Sequence, residues 1–294
     1  DLRELKKAGL LADDTHRDGY YLVGPSFSAS EAKPMLGALR VLAENLGSPL
    51  SSSTFDRVTR RMARTRNVEL LAYPVEAIGN RLVIDTRQEE FRELVSRLET
   101  FIRMGREVTV SKFFHPWEAA SHKETPYRVV PLQLLFHDLA WYLLAEDRAD
   151  NQFKVFRLDR LRPAVTPADA PARGLEAQRR ALDEARALLQ LGWGVIIPPR
   201  GTTAESPDLV TVKVRFDAYA AQFIRESINR HPTQQWRRVG DTMHYTVRLH
   251  DISLDEFGRW VFGWGEHALV TEPASLRDKL AFRFAKAADY YRNG

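Results

Sequence analysis

The segment HDLAWYLLAEDRADNQFKVFRLDRLRP, residues 137–163, sets Lys154, Arg157, Arg160 and Arg162 beside a single nearby acid, Asp159. Guanidinium groups grip phosphate through paired hydrogen bonds, and a phenol beside them can stack on a base or donate to it. Strand alternation puts Trp141 and Leu143 on one face of AWYLL and Tyr142 on the other. In VFRLDR it puts Phe156 and Leu158 opposite Arg157 and Asp159. The apolar sides would fill a core, and the other sides would offer Tyr142 and guanidinium groups together. A solvated face, its arginines paired with Asp138, Glu146 and Asp147, satisfies the same spacing, so spacing alone leaves both readings open.

The rest of the chain offers little to catalysis. Its eight histidines include no H-E-x-x-H and no close pair with a third ligand. His244 and His250 fall on a strand and its end, as exposed polar positions do. Gly263-Trp264-Gly265-Glu266-His267-Ala268 matches G-x-G-x-x-A, but it follows a helix and precedes a strand, the reverse of a phosphate cradle. It reads as a helix-ending turn. There is no Walker loop and no G-x-S-x-G elbow. Asp255-Glu256 and Glu89-Glu90 sit in first helical turns, where the helix dipole accounts for them. With 0 cysteines, disulfides, thiolate zinc sites and a cysteine nucleophile are excluded. The reading carries no catalytic residue, no metal and no cofactor.

The 294 residues leave room for two or three domains. A hydrophobic fraction of 44% with 28% charged residues is that of a globular protein. The net charge of +4 favours polyanionic partners through counterion release, though arginine-rich composition alone gives the same figure. No apolar run reaches about 18 residues, and no basic-then-apolar leader is present. These features predict a cytoplasmic protein with no membrane partner.

The elements that must position these groups follow from periodicity. Leu2, Leu5 and Leu10 give a short helical stripe, and Tyr20 to Val23 a strand after the Asp18-Gly19 turn. That is the back half of a winged helix, and a helix starting uncapped at the first residue predicts a preceding segment. Helical patterns follow over EAKPMLGALRVLAENLG, STFDRVTRRMARTR and TRQEEFRELVSRLETFIRMG, the last with Phe91, Leu94, Leu98 and Ile102 on one face. From Glu107 the period becomes two, and EVTVSKFF, YRVVPLQLLF, LAWYLLAE and FKVFRLDRL read as four strands of a small barrel. A proline-bearing linker and a helix from Leu175 to Gln190 come next. The tail reads βαββαβ plus a helix, the ferredoxin-like order, with Ser253 and Glu256 as a capping box.

TPYRVVP, AWYLLAED and KVFRLDRL, in this order and spacing, resemble the WYL domain of bacterial transcription regulators. VKVRFD, the DEFGRWVFGWGEHALVTEPASLR block and the terminal helix resemble the WCX extension of that family. DLRELKKAGLL and RDGYYL resemble the recognition-helix end and wing of its winged helix-turn-helix. The resemblance implies an α+β chain: partial winged helix at 1–26, helical connector and dimerisation region at 27–105, Sm-like WYL barrel at 106–165, linker with helix at 166–207 and WCX domain at 208–294. It further implies a homodimeric, nucleoid-associated regulator of DNA-damage responses or phage defence that binds double-stranded operator DNA through the winged helix. A single-stranded DNA or other oligonucleotide would be sensed at the WYL/WCX pocket. Matched ligand positions are Tyr142, Arg157, Arg160 and Arg128. Lys154 stands where the family usually has arginine, keeping the charge and losing the fork. Lys112 stands near a frequent tyrosine. On WCX, Arg225, Arg237 and Arg238 would serve a longer strand, and Arg3, Lys6, Lys7 and Arg17 would touch the operator backbone. The competing readings are a sensor of a small nucleotide-like anion, a nucleic-acid-processing enzyme, and a dimeric scaffold.

Overall fold

The structure, a computed structural model, describes residues 88–113, 124–138, 140–224 and 229–293. The expected winged-helix elements, with Arg3, Lys6, Lys7 and Arg17, lie outside these residues, as does Arg225. Glu89–Gly294 forms one compact unit.

Helix α1 (Gln88–Met104) opens it. Phe91, Leu94, Val95, Leu98, Phe101 and Ile102 recur at three- and four-residue spacing and pack into the core of the first sheet. The sequence reading assigns this helix to the connector; its apolar face instead completes that core. Gly105 ends it at φ 58°, its N–H reaching Ile102 O while Arg106 N–H reaches Phe101 O, a Schellman closure.

The first sheet is antiparallel and ordered β4-β3-β2-β1-β5: β1 (Val108–Lys112), β2 (Thr125–His137), β3 (Ala140–Asp147), β4 (Phe153–Arg157) and β5 (Thr166–Pro167). Alternation sorts its two faces. Val108, Val110, Val129, Leu143, Ala145 and Phe156 join the α1 core. Leu144 and Phe153 face the other way, onto helix α2 (Leu175–Leu189), where Ala181, Ala185 and Leu188 meet them. The β3–β4 turn is built by Asp147 Oδ1 accepting from Ala149 N–H and Asp150 Oδ1 from Gln152 N–H, with Asn151 at φ 58°.

One expected strand is shorter than its pattern. FKVFRLDRL ends at Arg157, and Leu158–Arg160 form a 3₁₀ turn. Phe113 N–H then bonds Arg160 O, and Arg162 N–H bonds Ser111 O. The turn thus brings the chain after β4 back onto the end of β1, which a continued strand could not do.

The second sheet is antiparallel, ordered β7-β8-β6-β9: β6 (Leu209–Phe216), β7 (Gln235–Val239), β8 (Thr242–His250) and β9 (Ala268–Glu272). Helices α3 (Ala220–Phe223), α4 (Leu254–Phe262) and α5 (Ala274–Asn293) alternate with the strands. Val212, Val214, Phe216, Met243, Tyr245, Val247 and Val270 form one core with Phe257, Val261, Leu276 and Leu280. Trp193, from the segment after α2, enters the same core, its ring 4.8 Å from Phe257 and 5.3 Å from Trp260.

The expected capping box at Ser253 is absent. A 3₁₀ turn, Asp251–Ser253, precedes α4, and the buried Ser253 hydroxyl accepts instead from Trp193 N–H at 3.1 Å. The hydroxyl that would have capped the helix therefore ties the linker to it.

Candidate functional site

Tyr142 and Arg157 are directly paired across β3 and β4, with Leu135 beside Tyr142 on β2. Paired residues share a face, so the phenol and the guanidinium stand together, away from the α1 core. The 3₁₀ turn sets Arg160 close enough for its charge to act on the same phenol, as Arg157 does. Burial raises the Tyr142 pKa above its ordinary value, and the two arginines pull it back without cancelling the effect. The phenol is therefore a neutral donor at physiological pH. Asp159 accepts from Arg157 Nε at 2.9 and 3.0 Å, which orients the guanidinium. Among the described residues no hydrogen bond reaches its two terminal nitrogens, the pair that forks onto phosphate. Trp141, on the opposite face, keeps its indole N–H buried with no acceptor among the described residues.

The other expected ligand groups are placed elsewhere. Lys154 pairs with Ala145, not Tyr142, and being three residues from Arg157 it lies on the opposite face. Its ammonium is 2.5 Å from Asp147 and 2.7 Å from Asp150. Burial lowers the Lys154 pKa, but the hydrogen bonds its ammonium donates to Asp147 and Asp150 outweigh it, leaving the pKa raised. Arg128 lies seven residues from Leu135 along β2, roughly 20 Å from Tyr142 at the usual strand rise. Both its Nε (2.9 Å) and Nη2 (2.5 Å) bond Glu107 Oε1. Lys112 closes β1, opposite Thr125 and bridged to Leu161. Arg162 covers the Phe113 ring at 4.8 Å and meets Glu124 at 3.3 Å. Of the segment's cations, Arg157 and Arg160 thus stand by Tyr142, Arg157 also pairing with Asp159, while Lys154 and Arg162 are tied to Asp147, Asp150 and Glu124.

Sequence reasoning offered Glu146 and Asp147 as partners on a solvated face; it missed that they are buried and that Glu107 joins them. Glu107, Glu146 and Asp147 are 7%, 3% and 2% exposed. Glu146 bonds Arg173 at 2.7 Å and lies 3.6 Å from both Arg148 and Arg200. Arg148 also reaches Glu107 at 3.2 Å. Arg200 continues to Glu184 at 2.6 and 2.8 Å and covers the Phe153 ring at 4.7 Å. Acids closing an apolar strand, as in LLAED, were the available signal: a carboxylate buried there requires cationic partners.

The described residues thus hold a five-stranded sheet carrying an aromatic–arginine face, a linker helix and a second, four-stranded sheet. Residues 114–166 match the family model of the WYL domain and residues 208–288 that of the WCX domain. Protein PafB of Mycobacterium tuberculosis (strain ATCC 25618 / H37Rv) is 28% identical over 171 residues, 57% of this chain and 47% of that protein. The chain thus spans about half the length of the curated relatives it matches. Among solved structures it is similar to a CRISPR Cas-related protein (TM-score 0.43, 11% identity, 70% of this chain and 52% of that one). It is also similar to the proteasome accessory factor B/C (PafBC) of Arthrobacter aurescens (TM-score 0.29, 22% identity, 96% of this chain and 40% of that one).

Proposed function

We propose that this chain is the sensing part of a DNA-binding transcription regulator of the DNA-damage response, and that its WYL domain takes single-stranded DNA. In this reading the first sheet is an Sm-like barrel and the second a ferredoxin-like WCX domain. The chain works by binding, as a homodimer in the cytoplasm, and winged-helix residues before the barrel read the operator. The WYL and WCX matches and the likeness to PafB support the regulator class. The observation that carries the ligand is the cross-strand pairing of Tyr142 with Arg157 beside Arg160, which sets a base-stacking ring next to a phosphate fork. Arg128 and Lys154 serve the fold first and contribute field rather than direct grip.

Because internal carboxylates occupy those two cations, a specific second reading follows: a small nucleotide-like anion that needs only Tyr142, Arg157 and Arg160. One titration separates the readings. Fluorescence anisotropy of labelled oligothymidylate, across a salt series, should give steep salt dependence and resist displacement by thymidine monophosphate. Arg157→Ala with Arg160→Ala should lower the slope of log K against log salt by about 1.4, at about 0.7 per lost phosphate contact, or roughly 25-fold in affinity at about 0.1 M salt. Full displacement by the mononucleotide selects the small-anion reading. Binding unchanged in the double variant removes the pocket.

A further inference from the structure

The WCX sheet buries one face under its helices and leaves the other open. Along β6, Val212, Val214 and Phe216 are buried, while Thr211, Lys213 and Arg215 between them are exposed. Register aligns the open-face residues in rows. Arg215 on β6 faces His244 on β8, and His244 faces Arg237 on β7. The next row is Lys213, Thr246 and Gln235, and the one after pairs Thr211 with Arg248. At the usual strand spacing, Arg215 and Arg237 stand about 10 Å apart, with Lys213 about 7 Å further along β6.

The first row holds two arginines with no carboxylate between them. Two other strand cations are neutralised, Arg128 by Glu107 and Lys213 by Glu272 at 3.0 Å. Neither the Arg215 nor the Arg237 side chain has an ion-pair or hydrogen-bond partner among the described residues. Arg238, the next residue on β7, turns back instead to Gly240 O at 3.1 Å. An uncompensated row of cations on a rigid sheet fits an external polyanion.

We propose that this open face is a second nucleic-acid subsite, a phosphate track that carries the single strand onward from the WYL pocket. The proposal deepens the functional reading and rests on the ligand being a strand. The track grips phosphates rather than bases. The rings of Trp193, Phe216, Trp236, Tyr245, Phe257, Trp260 and Trp264 pack on one another around the domain core, and the rows named above offer no ring larger than the His244 imidazole. Without stacking, binding there is indifferent to sequence and dominated by salt.

The test compares the full chain with Arg215→Gln/Arg237→Gln and Arg215→Glu/Arg237→Glu variants, using long oligothymidylate and a thymidine dinucleotide. Both arginines are exposed, and the glutamine pair guards against damage done by reversed charge. The glutamine pair should lose roughly 25-fold in affinity for the long oligomer at about 0.1 M salt, with the difference vanishing near 1 M. The glutamate pair should lose more, and dinucleotide binding should not change. Wild-type affinity and slope in both variants would overturn the track. Loss in these variants with none in Arg157→Ala/Arg160→Ala would sink the WYL pocket and leave the track standing. No binding of oligothymidylate by the wild type would end both. Displacement of the long oligomer by polyglutamate at equal charge concentration would reassign the face to an acidic protein segment and overturn the nucleic-acid proposal.

Discussion

Replacing Glu146 by alanine is expected to remove about 3–5 kcal/mol of stability, the cost of breaking a buried ion pair from one side. Glu146 is 3% exposed and is the shared acceptor of three arginines. Arg173 would suffer most. It bonds Glu146 at 2.7 Å, and its Nη1 is already buried with no partner among the described residues. Removing the carboxylate would leave a guanidinium charge in a site built for neutrality. Arg148 keeps Glu107 and Arg200 keeps Glu184, so their loss would be smaller. Glu146→Gln should be milder, since the amide oxygen can still accept from Arg173. Urea denaturation followed by circular dichroism reads both variants; a loss under about 1 kcal/mol in Glu146→Ala would show that the network is not what holds the linker to the sheet.

The second large effect is at Trp193. It is 6% exposed, and its ring packs on Phe257, Trp260 and His231. Its backbone N–H is bound by the Ser253 hydroxyl. Trp193→Ala should cost about 3–5 kcal/mol, the usual range for emptying a large aromatic site. Trp193→Phe should recover much of it. Gly192 explains why the segment has no room to relax: a Cβ there would stand 1.9 Å from Ile196 O. In the alanine variant the WCX unfolding transition should separate from that of the WYL sheet, because the Trp193 ring is the linker's apolar anchor in the WCX core, leaving only the Ser253 bond and that from His250 N–H to Leu191 O. A single transition of unchanged midpoint would contradict this.

What the sequence made legible is what period alone controls. Alternation in AWYLL and VFR assigns Tyr142 and Arg157 to one face, and the register pairs them. The same rule shows Lys154, three residues before Arg157, on the other face, yet composition grouped the cations as one set. Long-range partners were not legible. Glu107 and Arg128 are 21 residues apart and Glu146 and Arg173 27 apart, and nothing local links them. Leu158–Arg160 kept a strand-like pattern, but closing the chain onto β1 required a turn there. Ser253 kept a capping motif, but a tertiary donor took its hydroxyl. Arg237 and Arg238 are adjacent and look alike in sequence; only the pleat of β7 divides them between the open face and the turn.

In the proposed complex a strand's base lies on Tyr142 while its phosphates meet Arg157 and Arg160. Photo-crosslinking tests this most directly. Single-stranded DNA bearing 5-iodouracil is irradiated with the full chain, and the adduct is mapped by mass spectrometry of its peptides. The principal adduct should fall at Tyr142 and be lost when excess unmodified strand competes. Adducts confined to other peptides, with Tyr142 unmodified under conditions of saturated binding, would contradict it.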